Sequence, residues 1–421
     1  MTRSTAPRPM AMMVYRAASD GLGKGAFFLV TLVAARQLSQ DAFGIFSLGT
    51  TVGWIAAVAT DFGIQLHTAR AVAQHPGQAA RLLGAWGRIR VATATLAIVA
   101  VGAGLLVTRT PVPIATAIFL LSLGYIAAAM LEFLYYVFRG LSRSDLESTL
   151  TVAQRTGTLC VALLVLWWRP DVRLLGAAML LPVAAALWFA LRWARQLVNQ
   201  RHMDAEALQN RSVVAADAAR AVFAIGAGIV LSALYFRIDV FLVNAWSGPA
   251  AVGLYNAVFR LVDALRLFPG AVIAVMLPAL FRSGDGRLVT RLTFALGAGT
   301  TVAAAVLGAI APWLVPALYG SSYADAVPAF RALLFALPLM AVNLALTHQL
   351  LGWQGQRAYA CICGGALLFN LALNGFLIPR LGILGAAWTT VWTEAFVTVG
   401  CVVALFATGT RALPLSERTA F

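Results

Sequence analysis

Charge is scarce in this 421-residue chain. Asp, Glu, Lys and Arg make up 11% of it, where a soluble domain has about a quarter. Extended polar stretches are missing, and 61% of the residues are Ala, Val, Ile, Leu, Met, Phe, Trp, Tyr or Cys. The mean hydropathy is +0.83. These values exclude an appreciable soluble domain and point to a polytopic membrane protein. Cysteine is also rare. Cys160, Cys361, Cys363 and Cys401 all lie in apolar stretches. The C-x-C of Cys361 and Cys363 is not the C-x2-C of zinc or redox sites, so they read as small apolar helix residues. Histidine is limited to His67, His75, His202 and His348, which show no metal-ligand spacing. No metal and no other cofactor is expected.

Nucleotide motifs are missing too. Gly21-x-Gly23-Lys24-Gly25 lacks the G-x4-G-K-[ST] pattern and a preceding strand. The protein is therefore not itself an ATP-driven pump. No long outside loop is present to carry the catalytic residues of a membrane-embedded polymerase or glycosyltransferase, so no enzymatic activity is expected. The formal charge is +15, from 31 Lys and Arg against 16 Asp and Glu. The excess of positive residues in cytoplasmic loops explains this balance. No basic run is interleaved with aromatics, so nucleic acid is not an expected partner. The first apolar helix contains Lys24 and lacks a small-residue cleavage site, so it reads as retained rather than as a cleaved signal peptide.

What is present is a series of apolar runs separated by turn residues such as RTPVP (109–113) and WRPD (168–171). A span needs about 20 apolar residues. Twelve fit, near 17–38, 43–66, 86–108, 112–137, 150–168, 172–195, 217–243, 250–280, 288–312, 326–351, 358–378 and 382–407. Runs of this length are helices, not barrel strands. The segment 67–85 between the second and third spans reads either as a short amphipathic helix on the cytoplasmic surface or as a plain loop.

With the N-terminus inside, 21 arginines fall in inside segments, Arg88 and Arg90 among them. Four fall outside: Arg109, Arg169, Arg173 and Arg380. That bias places both termini in the cytoplasm. The longest inside loop halves the chain, giving an N-terminal six-helix lobe (1–200), a cytoplasmic linker (201–216) and a C-terminal six-helix lobe (217–421). The halves look related. Phe43-Gly44-Ile45-Phe46 corresponds to Val252-Gly253-Leu254-Tyr255, and Leu175-Gly176-Ala177-Ala178 to Leu384-Gly385-Ala386-Ala387, at one common offset. An even number of spans per half makes these parallel repeats.

Charges inside hydrocarbon are costly, so they face one another or a watery cavity. Tyr235 to Leu280 carries the densest set: Arg237, Asp239, Arg260, Asp263 and Arg266. The i, i+3, i+6 spacing of Arg260, Asp263 and Arg266 puts them on one drifting helix face. Two readings fit: a self-neutralising ion cluster that holds helices together, or a cationic cavity wall. Arg237 and Asp239 are two apart and point to different sides, toward other helices. In the first half Lys24 and Arg36 lie on the first span. Lys24, Arg36, Arg237, Arg260 and Arg266 are the candidate cavity cations, the alternative for Arg36 being to snorkel to the outer interface. Asp61, Glu132 and Glu394 are isolated carboxylates on spans two, four and twelve. With Asp239 and Asp263 they are the candidates to bind a coupling ion, the alternative being a salt bridge to a facing arginine. Gly49-x3-Gly53 reads as helix packing.

The residues FFLVTLVAARQLSQDAFGIFSL (27–48), DFGIQLHTARAVA (61–73), the whole of 235–280, LLGWQGQRAYA (350–360) and LGILGAAWTTV (381–391) carry a resemblance. The chain resembles the oligosaccharide flippases (Wzx-type) of O-antigen and other polysaccharide biosynthesis. They belong to the multidrug/oligosaccharidyl-lipid/polysaccharide (MOP) exporter superfamily. The resemblance covers nearly the whole chain. It implies an all-α, MATE/MOP-like fold, a V-shaped pair of six-helix lobes around a central cavity. It also implies alternating access in the bacterial inner membrane that moves an undecaprenyl-diphosphate-linked oligosaccharide to the outer leaflet. A polysaccharide polymerase is the partner it implies, besides membrane lipids. A diphosphate-linked sugar is an anion, and arginine suits phosphate through bidentate hydrogen bonds. The rival reading is a cation-coupled multidrug exporter of the same superfamily. A pump for cationic drugs should favour acidic cavity residues, which are outnumbered here.

Overall fold

The computed structural model describes residues 9–74, 79–202, 216–273, 276, 286–352 and 355–409. No strand occurs among them. Helices follow one another almost without interruption, because backbone inside a bilayer must satisfy its own hydrogen bonds. In chain order they are α1 (Pro9–Gln37), α2 (Gln40–Asp61), α3 (Ile64–Gln74), α4 (Ala79–Val107), α5 (Val112–Gly140), α6 (Ser144–Trp168), α7 (Val172–His202), α8 (Ala216–Leu265), α9 (Gly286–Tyr319), α10 (Val327–Gly352), α11 (Gln356–Leu381) and α12 (Ile383–Gly409). Among the described residues these twelve equal the expected number, with α3 an 11-residue helix mostly outside the expected spans and α8 covering two of them. Among the described residues, 10 helices are long and apolar enough to cross a membrane. One of them, α8, is two helical arms that meet at Gly248 (φ 79°, ψ 178°), with Pro249 next in the chain. The arms correspond to the expected seventh and eighth spans.

The chain forms two compact units, Met1–Gly226 and Ala227–Phe421. Most of the expected linker lies outside the described residues, since α7 runs on through His202 and α8 begins at Ala216. In the first unit α2 packs on α5, α5 on α7 and α1 on α6. The α2–α5 contact is close because Gly49 and Gly53 leave room for it. A Cβ on Gly49 would sit 2.7 Å from Leu121 Cδ1, and one on Gly53 would sit 2.8 Å from Ser122 Cα. This is the small-residue packing that lets helix backbones approach in a membrane. In the second unit α10 packs on α12, α9 on α10 and α11 on α12.

Two details differ from the sequence reading. Residues 64–74 form α3, and 79–85 already belong to α4, while 75–78 lie outside the described residues. α3 does not rest only on a surface: Ile64, Gln65, Thr68, Ala71 and Val72 are buried. Val72 lies so close to α5 that a Cβ on Gly140 would be 2.8 Å from it. Arg90, counted above with the cytoplasmic arginines, is a fully buried residue of α4.

Candidate functional site

The second unit gathers the charges of 235–280 into one cluster. The break at Gly248 turns the chain back, so residues of the first arm of α8 meet residues of the second. Asp263 is the centre. It forms an ion pair with Arg237, lies 3.8 Å from Arg260 Nη1 through Oδ2, and lies 3.6 Å from Arg266 Nη1 through Oδ1. One carboxylate thus serves three guanidinium groups.

The three arginines are not equivalent. The Arg237 side chain is 6% exposed. It is held between the rings of Phe259 (4.3 Å) and Phe236 (5.2 Å), and its Nη1 donates to Asn256 Oδ1 at 3.3 Å. Cation–π contacts of this kind gain strength when desolvated. Arg260 and Arg266 are more open, with side chains 20% and 33% exposed. Arg266 lies 4.4 Å over Phe236. Their separations from Asp263 exceed hydrogen-bond length, so both contacts are purely ionic.

A second polar group continues from the first. Tyr255 donates to Asp239, and its hydroxyl lies 3.2 Å from Thr390 Oγ1. Asp239, Tyr255 and Asn256 are all buried. On α11 and α12, Asn374 Nδ2 donates to Asn370 Oδ1 at 2.7 Å, and Asn370 Nδ2 to Thr393 Oγ1 at 3.1 Å. Glu394 is buried and accepts from Asn343 Nδ2 of α10 at 2.7 Å, while Thr398 Oγ1 donates to Asn343 Oδ1 at 2.7 Å. Tyr235, Phe236, Asn370, Thr390, Thr393 and Glu394 line a small crevice of about 180 Å³. The polar groups therefore tie the second arm of α8 to α12, and α12 to α10 and α11. Among the described residues no group of three or more His, Cys, Asp or Glu could hold a metal ion.

The first unit holds the other expected residues in different surroundings. Asp61 accepts the Gln65 amide at 3.3 Å and lies 3.6 Å from Arg90 Nη1. Arg90 also donates through Nη2 to Ala129 O at 2.8 Å and lies 5.8 Å over the Phe133 ring. Of the two readings of Asp61, coupling carboxylate or salt-bridge partner, the geometry gives it the arginine. Glu132 is exposed on α5, with Asp61, Arg90, Arg139 and Arg155 as its electrostatic neighbours. Arg139 is bonded to Glu147 instead. Lys24 and Arg36 are both exposed on α1. An open cleft with about 500 Å³ of empty volume lies between α1, α5, α6 and α7, walled by Phe27, Tyr125 and Met179 and edged by Gln154 and Arg155.

The sequence reading missed Arg90, Tyr255, Asn256, Asn343, Asn370 and Asn374. The signal for one pair was there, since Asn370 and Asn374 stand at i, i+4 on an apolar helix and so share a face.

The comparisons with known proteins turn on the chain's first two thirds. A family model described as polysaccharide biosynthesis protein matches residues 12–283, more than half of the chain. The chain belongs to the polysaccharide biosynthesis protein family. No curated protein matches it. Solved structures share the fold of this family member across nearly its full length. A multidrug resistance MATE family transporter of the MOP superfamily, in an inward-facing conformation, is 15% identical, with a TM-score of 0.68 over 94% of this chain and 96% of that one. A MOP superfamily transporter from Pyrococcus furiosus, described by a reverse polarity of its binding pocket, is 13% identical with a TM-score of 0.62 over 96% of each chain. The lipid II flippase MurJ in an inward closed conformation is 11% identical, with a TM-score of 0.55 over 97% of this chain and 88% of that one. The fold is thus shared with transporters of the MOP superfamily, and the 10 long apolar helices make this family member a multi-pass membrane protein.

Proposed function

We propose that the protein is a flippase that moves an undecaprenyl-diphosphate-linked oligosaccharide from the inner to the outer leaflet of a bacterial inner membrane by alternating access. Two six-helix lobes joined by the 201–216 segment would move against each other, with both termini in the cytoplasm. Membership of the polysaccharide biosynthesis protein family supports the substrate class. The single structural observation that carries the reading is the cluster around Asp263. Three arginines face one carboxylate within the second unit. The surplus positive charge suits an anionic diphosphate, and arginine binds phosphate oxygens through paired hydrogen bonds.

In this proposal Arg237, Arg260 and Arg266 bind the diphosphate, and Lys24 and Arg36 are the substrate-contacting cations of the first unit. Asp239, Asp263 and Glu394 in the second unit, with Glu132 in the first, are the carboxylates through which an ion gradient would be coupled, while Asp61 is taken up by Arg90. A polysaccharide polymerase would consume the product.

The test is complementation. Arg260→Ala, expressed in a strain lacking the gene, should leave the protein in the membrane while cutting surface-polysaccharide export at least about tenfold, the loss expected when a charge-assisted bond to a charged ligand is removed. Export at the wild-type level would refute the assignment of Arg260. A second reading, a cation-coupled multidrug exporter, draws on the shared fold with a multidrug resistance MATE family transporter. It predicts that deletion alters tolerance to cationic dyes and leaves polysaccharide unchanged. The excess of arginine over carboxylate around Asp263 favours the anionic substrate.

A further inference from the structure

We propose that Asp263 is an internal substitute for the substrate's phosphate, and that substrate binding is an exchange in which the diphosphate displaces this carboxylate from Arg260 and Arg266. The inference rests on the flippase reading of the same site.

The geometry of the cluster suggests the exchange. Among the described residues Asp263 has one charged hydrogen-bond partner, the buried Arg237. Arg237 itself is fixed by two aromatic rings and by Asn256. The contacts to Arg260 and Arg266 are of another kind. At 3.8 and 3.6 Å they are ionic without being hydrogen bonds, and both guanidinium groups keep a third or less of their side-chain surface open. Such contacts in partly open surroundings are weak. Asp263 holds these two cations by charge alone and can surrender them to a stronger acceptor. A diphosphate is that acceptor, with more charge and more oxygens than a carboxylate. Asn256 adds a further donor near Arg237: its Nδ2 is buried without a hydrogen-bond partner, while its Oδ1 accepts from Arg237. A buried amide left half-satisfied is costly, and an incoming phosphate oxygen would complete it.

The exchange has a consequence for turnover. While Asp263 occupies the arginines, only a fraction of the protein is competent to bind anion, and the apparent affinity is weakened by that fraction. The same carboxylate then competes for the arginines when the diphosphate must leave. Asp263 is on this account a positioning residue that trades affinity for release.

The experiment uses the purified full-length chain in detergent and farnesyl diphosphate as the probe, with binding measured by calorimetry. Asp263→Asn should bind the probe at least about fivefold more tightly than wild type, since the competing charge is gone. It should also export less surface polysaccharide in the complementation strain, because release is slowed. Asp263→Glu should restore both values toward wild type. A residue that only held helices together would lose export without gaining affinity. Should Asp263→Asn fail to fold with Arg237 left unpaired, Asp263→Asn with Arg237→Gln removes both charges, and it should bind the probe more tightly than Arg237→Gln alone, through Arg260 and Arg266. Probe binding by wild type with equal or weaker binding by Asp263→Asn overturns the exchange alone. No binding by wild type or by any variant overturns the anion-binding reading of the cluster as well.

Discussion

Arg90 has no water to turn to. Its side chain is 0% exposed and packs against α5, where Nη2 finds the Ala129 carbonyl at 2.8 Å. Its Nε has no hydrogen-bond partner. The 3.6 Å approach of Asp61 is what balances its charge. Removing one member of a buried pair leaves the other charge uncompensated, at a cost of about 3–5 kcal/mol. The Asp61 side chain is 21% exposed, which places this pair at the lower end. Asp61→Ala is therefore expected to destabilise the first unit by about 3 kcal/mol, read as a lowered midpoint of thermal unfolding in detergent. Asp61→Ala combined with Arg90→Met should recover most of that loss, because an apolar chain replaces the buried charge. If the double variant is as unstable as the single one, the pair is not what stabilises Arg90.

At the scale of the element, proline shapes the second unit. Pro312 lies inside α9 and brings no N–H, so the carbonyl four residues earlier, Gly308 O, loses its helical donor. Arg331 of α10 supplies it, with Nε donating to Gly308 O at 2.9 Å. This explains an arginine within a span that has no ion-pair partner among the described residues. Arg331→Ala should cost about 1 kcal/mol. In a Pro312→Ala background, where the helix donor returns, the same change should cost less than about 0.5 kcal/mol. Equal losses in both backgrounds would mean that Arg331 acts elsewhere. The helices themselves were legible in the sequence, because apolar runs and turn residues report the bilayer directly. The break in α8 falls where the seventh and eighth spans were expected to part, at Ser247-Gly248-Pro249, and only glycine is at ease at its φ 79° and ψ 178°. The Arg260, Asp263, Arg266 face was legible from its spacing. The uncharged polar residues were not. A hydropathy reading averages Asn343, Asn370 and Tyr255 into their apolar neighbours, and their partners lie on helices far away in sequence. Arg237 was expected to reach toward another helix, and its partner proved to be Asp263 across the turn of α8.

At the scale of the whole molecule, the two halves repeat the same placement of similar tetrapeptides. Phe43 to Phe46 fall just inside α2, and Val252 to Tyr255 fall just inside the second arm of α8. Leu175 to Ala178 open α7, and Leu384 to Ala387 open α12. The units differ in how they hold charge. The first keeps its buried cation in a local pair of α4 with α2. The second gathers three arginines on one carboxylate and extends the polar network across α8, α10, α11 and α12. That asymmetry is the basis for assigning diphosphate recognition to the second unit. The measurement that tests the central proposal most directly is the lipid pool of a strain from which the gene has been deleted, extracted and analysed by mass spectrometry. The flippase account predicts a build-up of undecaprenyl-diphosphate-linked oligosaccharide together with loss of surface polymer, and the mass would identify the sugar. An unchanged lipid pool with normal surface polysaccharide would contradict it.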